Sequence, residues 1–117
     1  MVNLANLMSL NGAVSVAECK PGGDRISYMI KGSQTQDLDK MTERLCAINT
    51  LMAPIVESFN RISEMNWTPF RGWAVTAGDY SVFVMSHIVV IVETDKADYN
   101  EIFKVLNEEA HITLKAA

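Results

Sequence analysis

The amino-acid sequence predicts an α+β domain in which a five-stranded antiparallel sheet has a long central helix on one face and the terminal helices on the other. Two strand-like segments precede a long amphipathic segment, and three more strand-like segments precede a final amphipathic one. Turn signals connect the strands within each set, which favours antiparallel pairing. At 117 residues the chain has the size of a single domain, residues 1–117.

A helix-capping residue predicts the first helix, and two alternating strand patterns with a turn motif between them predict the first hairpin. Asn3 can cap a short helix in which Leu4, Leu7 and Met8 share one face, and Asn11-Gly12 ends it, because Gly12 is suited to follow a helix end. Residues 13–17 and 25–31 alternate between apolar and small or polar side chains, and a proline- and glycine-rich turn separates them. The second strand is half polar, as expected near a sheet edge.

Apolar residues that recur every three or four positions predict the long helix. The series is Met41, Leu45, Ile48, Met52, Ile55, Phe59 and Ile62. Pro54 lies inside this series. Because proline lacks an amide hydrogen and its ring clashes with the carbonyl four residues back, we expect a kink or a break near residues 51–53.

Three strands and a helix are predicted for the remainder of the chain. Strand patterns cover residues 73–77, 81–85 and 88–92, and Ser86-His87 forms a tight connection between the last two. Residues 88–92 are apolar on both faces, which predicts a strand in the middle of a covered sheet. Asp95 is expected to cap the last helix, with Asp98 in its first turn.

Composition excludes several classes of protein. The net charge of −4 and the pI of about 5.0 argue against a nucleic-acid module. The most apolar stretch, residues 82–92, is too short to span a bilayer, and the N-terminus lacks the basic region of a signal peptide. We therefore expect a cytoplasmic protein that binds neither nucleic acid nor membranes. Cys19 and Cys46 could form one bridge, but two free buried thiols are favoured because free cysteine behaves as a small hydrophobe.

Motifs for catalysis and for cofactors are missing from the sequence. There is no phosphate-binding glycine motif and no nucleophile elbow. Neither His87 nor His111 is followed by a ligand partner three or four positions further along the chain. We expect no catalytic residue, no metal and no cofactor, and hence no enzyme. The less favoured alternative is an enzyme built from scattered residues such as Cys46, Asp79, Arg71 or His87. It stays open because loops and turns often carry function.

Residues 66–73, Asn-Trp-Thr-Pro-Phe-Arg-Gly-Trp, form the best candidate for a binding site. Tryptophan and arginine are enriched where proteins bind one another, because they combine apolar area with hydrogen-bonding ends. The candidate partner-binding residues are Trp67, Phe70, Arg71 and Trp73. An equally favoured interpretation is that Trp67 and Phe70 fold back over the sheet edge and the end of the long helix.

The element order, together with particular residues, resembles the roadblock family of small adaptor proteins, which share a profilin-like fold. The matching features are the leader at residues 4–10, Asn-Gly-Ala-Val at 11–14, the Pro-Gly-Gly-Asp turn at 21–24, the long helix from Leu38 and the meander over residues 73–92. Residues 66–73 and Gly-Asp-Tyr-Ser at 78–81 look like those of a narrower group of short prokaryotic proteins of unknown function.

The roadblock resemblance implies a homodimer in which the long helices pair and the third strands join edge to edge. The dimer surface would then come from residues 41–62 and 73–77. Its candidate residues are Met41, Leu45, Ile48, Met52, Ile55, Phe59, Trp73, Val75 and Ala77. The resemblance also implies a non-enzymatic adaptor or regulatory subunit that acts on a small GTPase or within a larger complex. The alternative is a sensory domain that holds a small ligand between sheet and helix.

Overall fold

The computed structural model describes residues 2–116, with side chains described for residues 2–110. The helices and strands follow the predicted order. They are α1 (Leu4–Met8), β1 (Ala13–Cys19), β2 (Arg25–Ile30), α2 (Thr35–Ile62), β3 (Gly72–Thr76), β4 (Tyr80–Met85), β5 (Ile88–Glu93) and α3 (Tyr99–Ala116), with a 3₁₀ turn at Thr94–Lys96. Among the described residues, 2–116, no helix is both long enough and apolar enough to cross a membrane.

The five strands form one antiparallel sheet in the order β2-β1-β5-β4-β3. Strand β5 lies at its centre, and residues 88–92 are all buried, which confirms the position predicted from its continuous apolar run. Strands β2 and β3 lie at the two edges. The half-polar pattern of β2 is therefore correctly explained by an edge position.

Each face of the sheet has its own apolar core, because successive residues of a strand point to opposite faces. Ile88, Val90 and Val92 face α1 and α3, where they join Ile102 and Leu106. Val89 and Ile91 face α2 and join its residues Leu38, Leu45 and Cys46. The long helix thus covers one face and the terminal helices cover the other, as the fold prediction states.

Hydrogen bonds hold the first helix in place. The side chain of Asn3 accepts a hydrogen bond from the amide of Asn6, as predicted for its cap. The buried carboxylate of Glu109 on α3 accepts bonds from the Asn3 amide, at 2.9 Å, and from Asn6 Nδ2, at 3.2 Å. At the start of α3 the cap is Asp98, whose Oδ1 accepts from the Glu101 amide at 3.2 Å. The predicted cap Asp95 is wrong, because this residue lies in the 3₁₀ turn.

Helix α2 is one uninterrupted helix of 28 residues, so Pro54 does not split it. Proline removes one hydrogen bond of a helix, and in a helix this long that loss does not end the element. The buried residues of α2 are Leu38, Thr42, Leu45 and Cys46. All of them lie in its first half, and no residue of the helix after Cys46 is buried.

Cys19 and Cys46 form a disulfide bond, with their Cα atoms 5.5 Å apart. The expectation of two free thiols is therefore wrong. Cys19 ends β1 on the face that α2 covers, and Cys46 is the last buried residue of α2. Sequence separation gave no indication of this contact, since the two thiols lie 27 positions apart, with strand β2 between them.

Candidate functional site

The second half of α2 presents an apolar stripe to solvent. Leu51 is 61% exposed, Ile55 50% and Ile62 80%. At about 100° per residue, these three side chains fall within roughly 40° of one another, on a different side of the helix from Leu45 and Cys46. A surface helix normally turns its apolar side to the core. This helix has a second apolar side, which no residue in the described part of the chain covers.

Strand β3 adds a free sheet edge next to this helix face. Val75 is 50% exposed and lies two residues beyond Trp73, so both point to the face of the sheet that α2 covers. Trp73 is half-buried against the core under α2, and its Nε1 donates a hydrogen bond to Asn49 Oδ1 at 2.8 Å. The exposed stripe of Leu51, Ile55 and Ile62 and the outer part of β3, including Val75, are called the α2–β3 surface below.

The structure places the nine predicted interface residues in three classes. Met41, Ile55, Val75 and Ala77 are exposed, whereas Ile48, Met52, Phe59 and Trp73 are half-buried. Leu45 is only 4% exposed and belongs to the core beneath α2, so its assignment to the interface is wrong. Leu45 thus faces the sheet, whereas Met41 before it and Ile55 after it in the same apolar series are exposed.

Trp67 folds back over the end of α2. Its ring meets the Phe59 ring edge-on at 5.2 Å between centroids. Its Nε1 donates to Ser63 Oγ at 3.1 Å, and its amide donates to Asn60 Oδ1 at 2.7 Å. The side chain nevertheless remains 42% exposed. Trp67 thus packs as the second interpretation predicted and still offers apolar area to a partner.

Phe70 and Arg71 lie away from Trp67, beside a cavity of about 780 Å³. The peptide bond before Pro69 is cis, and the chain then passes the β4–β5 turn. The cavity lies between this segment, that turn and α3. Its lining residues are Pro69, Phe70, Arg71, Met85, Ser86, Asn107, Glu108 and Ala110. The four predicted partner-binding residues therefore do not form one patch, since Trp67 and Trp73 pack toward α2 while Phe70 and Arg71 line this cavity.

A chain of polar side chains lies at the β4–β5 turn. Ser86 has a positive φ of 56°, as two-residue hairpin turns require. Its Oγ lies 3.1 Å from His87 Nδ1, and His87 Nε2 lies 3.2 Å from Glu18 Oε2. Asn49 on α2 donates from Nδ2 to the Ser86 carbonyl oxygen at 2.8 Å. Asn49 therefore ties α2 both to this turn and to Trp73 on β3.

The polar chain borders a second cavity, of about 440 Å³. Both cysteines of the disulfide line it, together with Glu18, His87 and Asn49. The sequence analysis placed His87 in a turn, but it did not predict that His87 lies beside Glu18, Asn49 and the disulfide. The available signal was Asn49, a polar residue that follows Leu45 and Cys46 by one helical turn and so shares their side of α2. Within the described residues, no cluster of three or more His, Cys, Asp or Glu side chains could hold a metal ion.

Comparison with known proteins supports the fold. The model of a family described as "Uncharacterized conserved protein (DUF2173)" matches residues 3–108, and a search of curated proteins found no match. The solved structures with a similar fold include the three that follow. Gliding protein-mglB from Thermus thermophilus is 10% identical with a TM-score of 0.66, over 91% of this chain and 78% of that one.

Myxococcus xanthus MglB is 17% identical with a TM-score of 0.68, over 96% of this chain and 91% of that chain. A structure titled "MglB with tetrameric arrangement" is 12% identical with a TM-score of 0.67, over 97% and 87% of the two chains. At these identities the likeness concerns the fold alone. It confirms the predicted roadblock-like arrangement of one sheet between a long helix and the terminal helices.

Proposed function

We propose that this chain, which belongs to the DUF2173 family of uncharacterised conserved proteins, is a homodimeric adaptor or regulatory subunit and not an enzyme. The observation that carries the proposal is the α2–β3 surface. Exposed apolar patches of this kind mark interaction sites in folded proteins. Leu51 and Ile62 are each more than 60% exposed, although both are large apolar side chains of the long helix.

A second copy of the chain fits the α2–β3 surface better than an unrelated protein does. The apolar stripe from Leu51 to Ile62 extends about 16 Å along the helix axis, so two such helices can pack side by side over several turns. A two-fold axis requires a self-complementary surface, and a stripe of aliphatic side chains meets that condition. The free edge of β3 meets it as well, because an antiparallel strand pair is itself two-fold symmetric.

The fold comparison supports self-association, and the roadblock resemblance supports a regulatory role. One of the similar structures is titled as a tetrameric arrangement, so a protein of this fold does assemble with itself. The roadblock resemblance adds a small GTPase as the class of partner. Trp67 and Arg71, both exposed, are the residues we assign to partner binding. The cytoplasmic location expected from the sequence, where such a partner would be met, stays a prediction.

A nucleotide-dependent capture experiment tests the regulatory role. Immobilised protein is incubated with lysate of the source organism, supplemented with either GDP or a non-hydrolysable GTP analogue. We expect a small GTPase to be retained in one nucleotide state and not in the other. The Trp67→Ala/Arg71→Ala double variant serves as the control and should retain less. Equal retention in both states, or no GTPase at all, would contradict the proposal.

The cavity beside Phe70 and Arg71 favours the second candidate function, a small-ligand sensor. Its volume of about 780 Å³ is within the range of natural ligand sites, and Arg71 provides a positive charge at its wall. A thermal-shift screen with metabolites, nucleotides and haem tests this function. A ligand that raises the melting temperature of the wild type but not of Phe70→Ala would favour it, and a flat response would remove it.

A further inference from the structure

We propose that the second cavity, between the end of β1 and the middle of α2, is a binding site for a free α-amino acid with an apolar side chain. Its volume of about 440 Å³ is within the range of natural small-ligand sites. Glu18 and Lys20 both line it. An α-amino acid offers an ammonium group to the first residue and a carboxylate to the second, so it matches both charges and adds no net charge to the site.

Glu18 has an open carboxylate oxygen on a side chain that is otherwise buried. The residue is only 9% exposed, and its Oε2 lies 3.2 Å from His87 Nε2. Its Oε1 has no hydrogen-bond partner among the described residues. The fully buried polar side-chain atom that lacks a partner in this part of the chain is Ser15 Oγ and not Glu18 Oε1, so solvent reaches Oε1. A carboxylate oxygen in such a place is a strong acceptor for an ammonium group.

Neighbouring groups hold this carboxylate and leave its charge available. A neutral His87 ring that is protonated on Nε2 satisfies both of its contacts, because it donates to Glu18 and accepts at Nδ1 from the Ser86 hydroxyl, 3.1 Å away. Among the described residues, Glu18 forms no ion pair with a lysine or an arginine. Its backbone is paired on both sides, with Ser27 of β2 and with Ile88 of β5. The acceptor is therefore in place before a ligand arrives, which reduces the entropic cost of binding.

Lys20 supplies the opposite charge two residues further along the chain. Its side chain is exposed, and it forms no ion pair with any residue that the structure describes. The β1–β2 turn fixes its backbone, since the Lys20 amide donates to the Asp24 carbonyl oxygen and the Lys20 carbonyl oxygen accepts from the Gly23 amide at 3.0 Å. Its ammonium group is thus free to bind the carboxylate of a ligand at the mouth of the cavity.

Apolar walls complete the cavity and favour an apolar ligand side chain. Pro21 and Ile26 line it together with Cys19 and Cys46. Ile26 is 53% exposed, so a bound aliphatic or aromatic group would cover apolar surface that faces water in the free protein. The disulfide joins β1 to α2 beside the cavity and so keeps two of its walls together. This inference depends neither on the proposed dimer nor on the larger cavity.

Thermal-shift titrations of the intact chain test the proposal. The probes are leucine, isoleucine, methionine and phenylalanine as free amino acids, because a ligand that binds the folded state raises the melting temperature as its concentration rises. We expect at least one of them to give a saturable rise. Two derivatives of the tightest-binding amino acid are then compared with it, the amide, which lacks the carboxylate, and the N-acetyl form, which lacks the ammonium group. Each should bind about 10-fold or more weakly, because one charge-assisted contact is lost.

Lys20→Met removes the positive charge at an exposed position, where folding should be unaffected. It should raise the dissociation constant of the amino acid about 10-fold or more, and Glu18→Gln should do the same. Lys104→Met is the matched control, since Lys104 is an exposed lysine of α3, on the other face of the sheet, and its constant should equal that of the wild type.

Three results would overturn the proposal. The first is an unchanged melting temperature with all four amino acids. The second is equal binding of the amino acid and its N-acetyl form, a comparison that uses the wild-type chain and needs no variant to fold. The third is a folded Lys20→Met chain that binds the amino acid as tightly as Lys104→Met does.

Discussion

The two halves of α2 carry similar side chains and have opposite surroundings. In the first half, Leu38 and Leu45 are 7% and 4% exposed and belong to the core under the helix. In the second half, Leu51 and Ile55 are 61% and 50% exposed. Periodicity alone therefore identifies an apolar side of a helix but does not distinguish the core of one chain from the interface between two chains.

The boundary between the halves is also the place where α2 is fastened. The disulfide at Cys46 joins it to β1, and one turn later Asn49 bonds to the β4–β5 turn and to Trp73. Beyond Asn49 the helix extends for three more turns to Ile62. We infer that the first half stabilises the single chain and that the second half stabilises an assembly.

The largest effect on the single chain is expected for Leu45→Ala. Removing a buried leucine side chain leaves a cavity and costs about 2–5 kcal/mol of unfolding free energy. Leu51→Ala is the matched control on the same helix and should change the value by less than about 0.5 kcal/mol. Urea unfolding followed by circular dichroism measures both, in an Ile55→Asp background that keeps the chain monomeric. Similar losses for the two variants would contradict the division of α2.

Ile55→Asp is expected to break self-association. It places a charge in the middle of the apolar stripe, and burying an unpaired carboxylate in an interface is strongly unfavourable. We expect the dimer dissociation constant to rise at least 100-fold, which is about 2.7 kcal/mol, while the far-ultraviolet spectrum stays unchanged. Glu57→Ala changes an exposed residue outside the stripe and should leave the constant unaltered. If both variants associate as the wild type does, the stripe is not the interface.

Asn49→Ala should have an intermediate effect on the single chain. It removes the hydrogen bonds to Trp73 Nε1 and to the Ser86 carbonyl, and it leaves these two part-buried groups without this partner. We expect a loss of about 1–3 kcal/mol, again measured by urea unfolding. Thr50→Ala, a change at the neighbouring exposed residue, is the control. A loss no greater than that of the control would show that Asn49 does not fasten the helix.

Arg71→Ala should have the smallest effect on stability. Its side chain is exposed, so the unfolding free energy should stay within about 0.5 kcal/mol of the wild type. Differential scanning fluorimetry checks this value, and the nucleotide-dependent capture experiment checks the second expectation, weaker retention of the GTPase. If the variant retains as much GTPase as the wild type, Arg71 does not contribute to partner binding.

The sequence predicted the element order, the central position of β5 and the edge position of β2, because each depends on local periodicity and turn chemistry. It did not predict the disulfide or the chain of polar groups from Glu18 through His87 to Ser86. Those contacts join residues that are distant along the chain, and only the three-dimensional arrangement brings them together. The burial of Leu45 was missed for a related reason, since the apolar period of a helix does not reveal which of its apolar residues lie over the sheet.

Sedimentation equilibrium of the wild-type chain over a wide concentration range tests the central claim most directly. The account predicts a molar mass of twice the 13.0 kDa of one chain at micromolar concentrations, falling toward one chain in Ile55→Asp. A wild-type mass of 13.0 kDa at every concentration up to high micromolar would contradict it. The exposed half of α2 would then be a surface for a different partner.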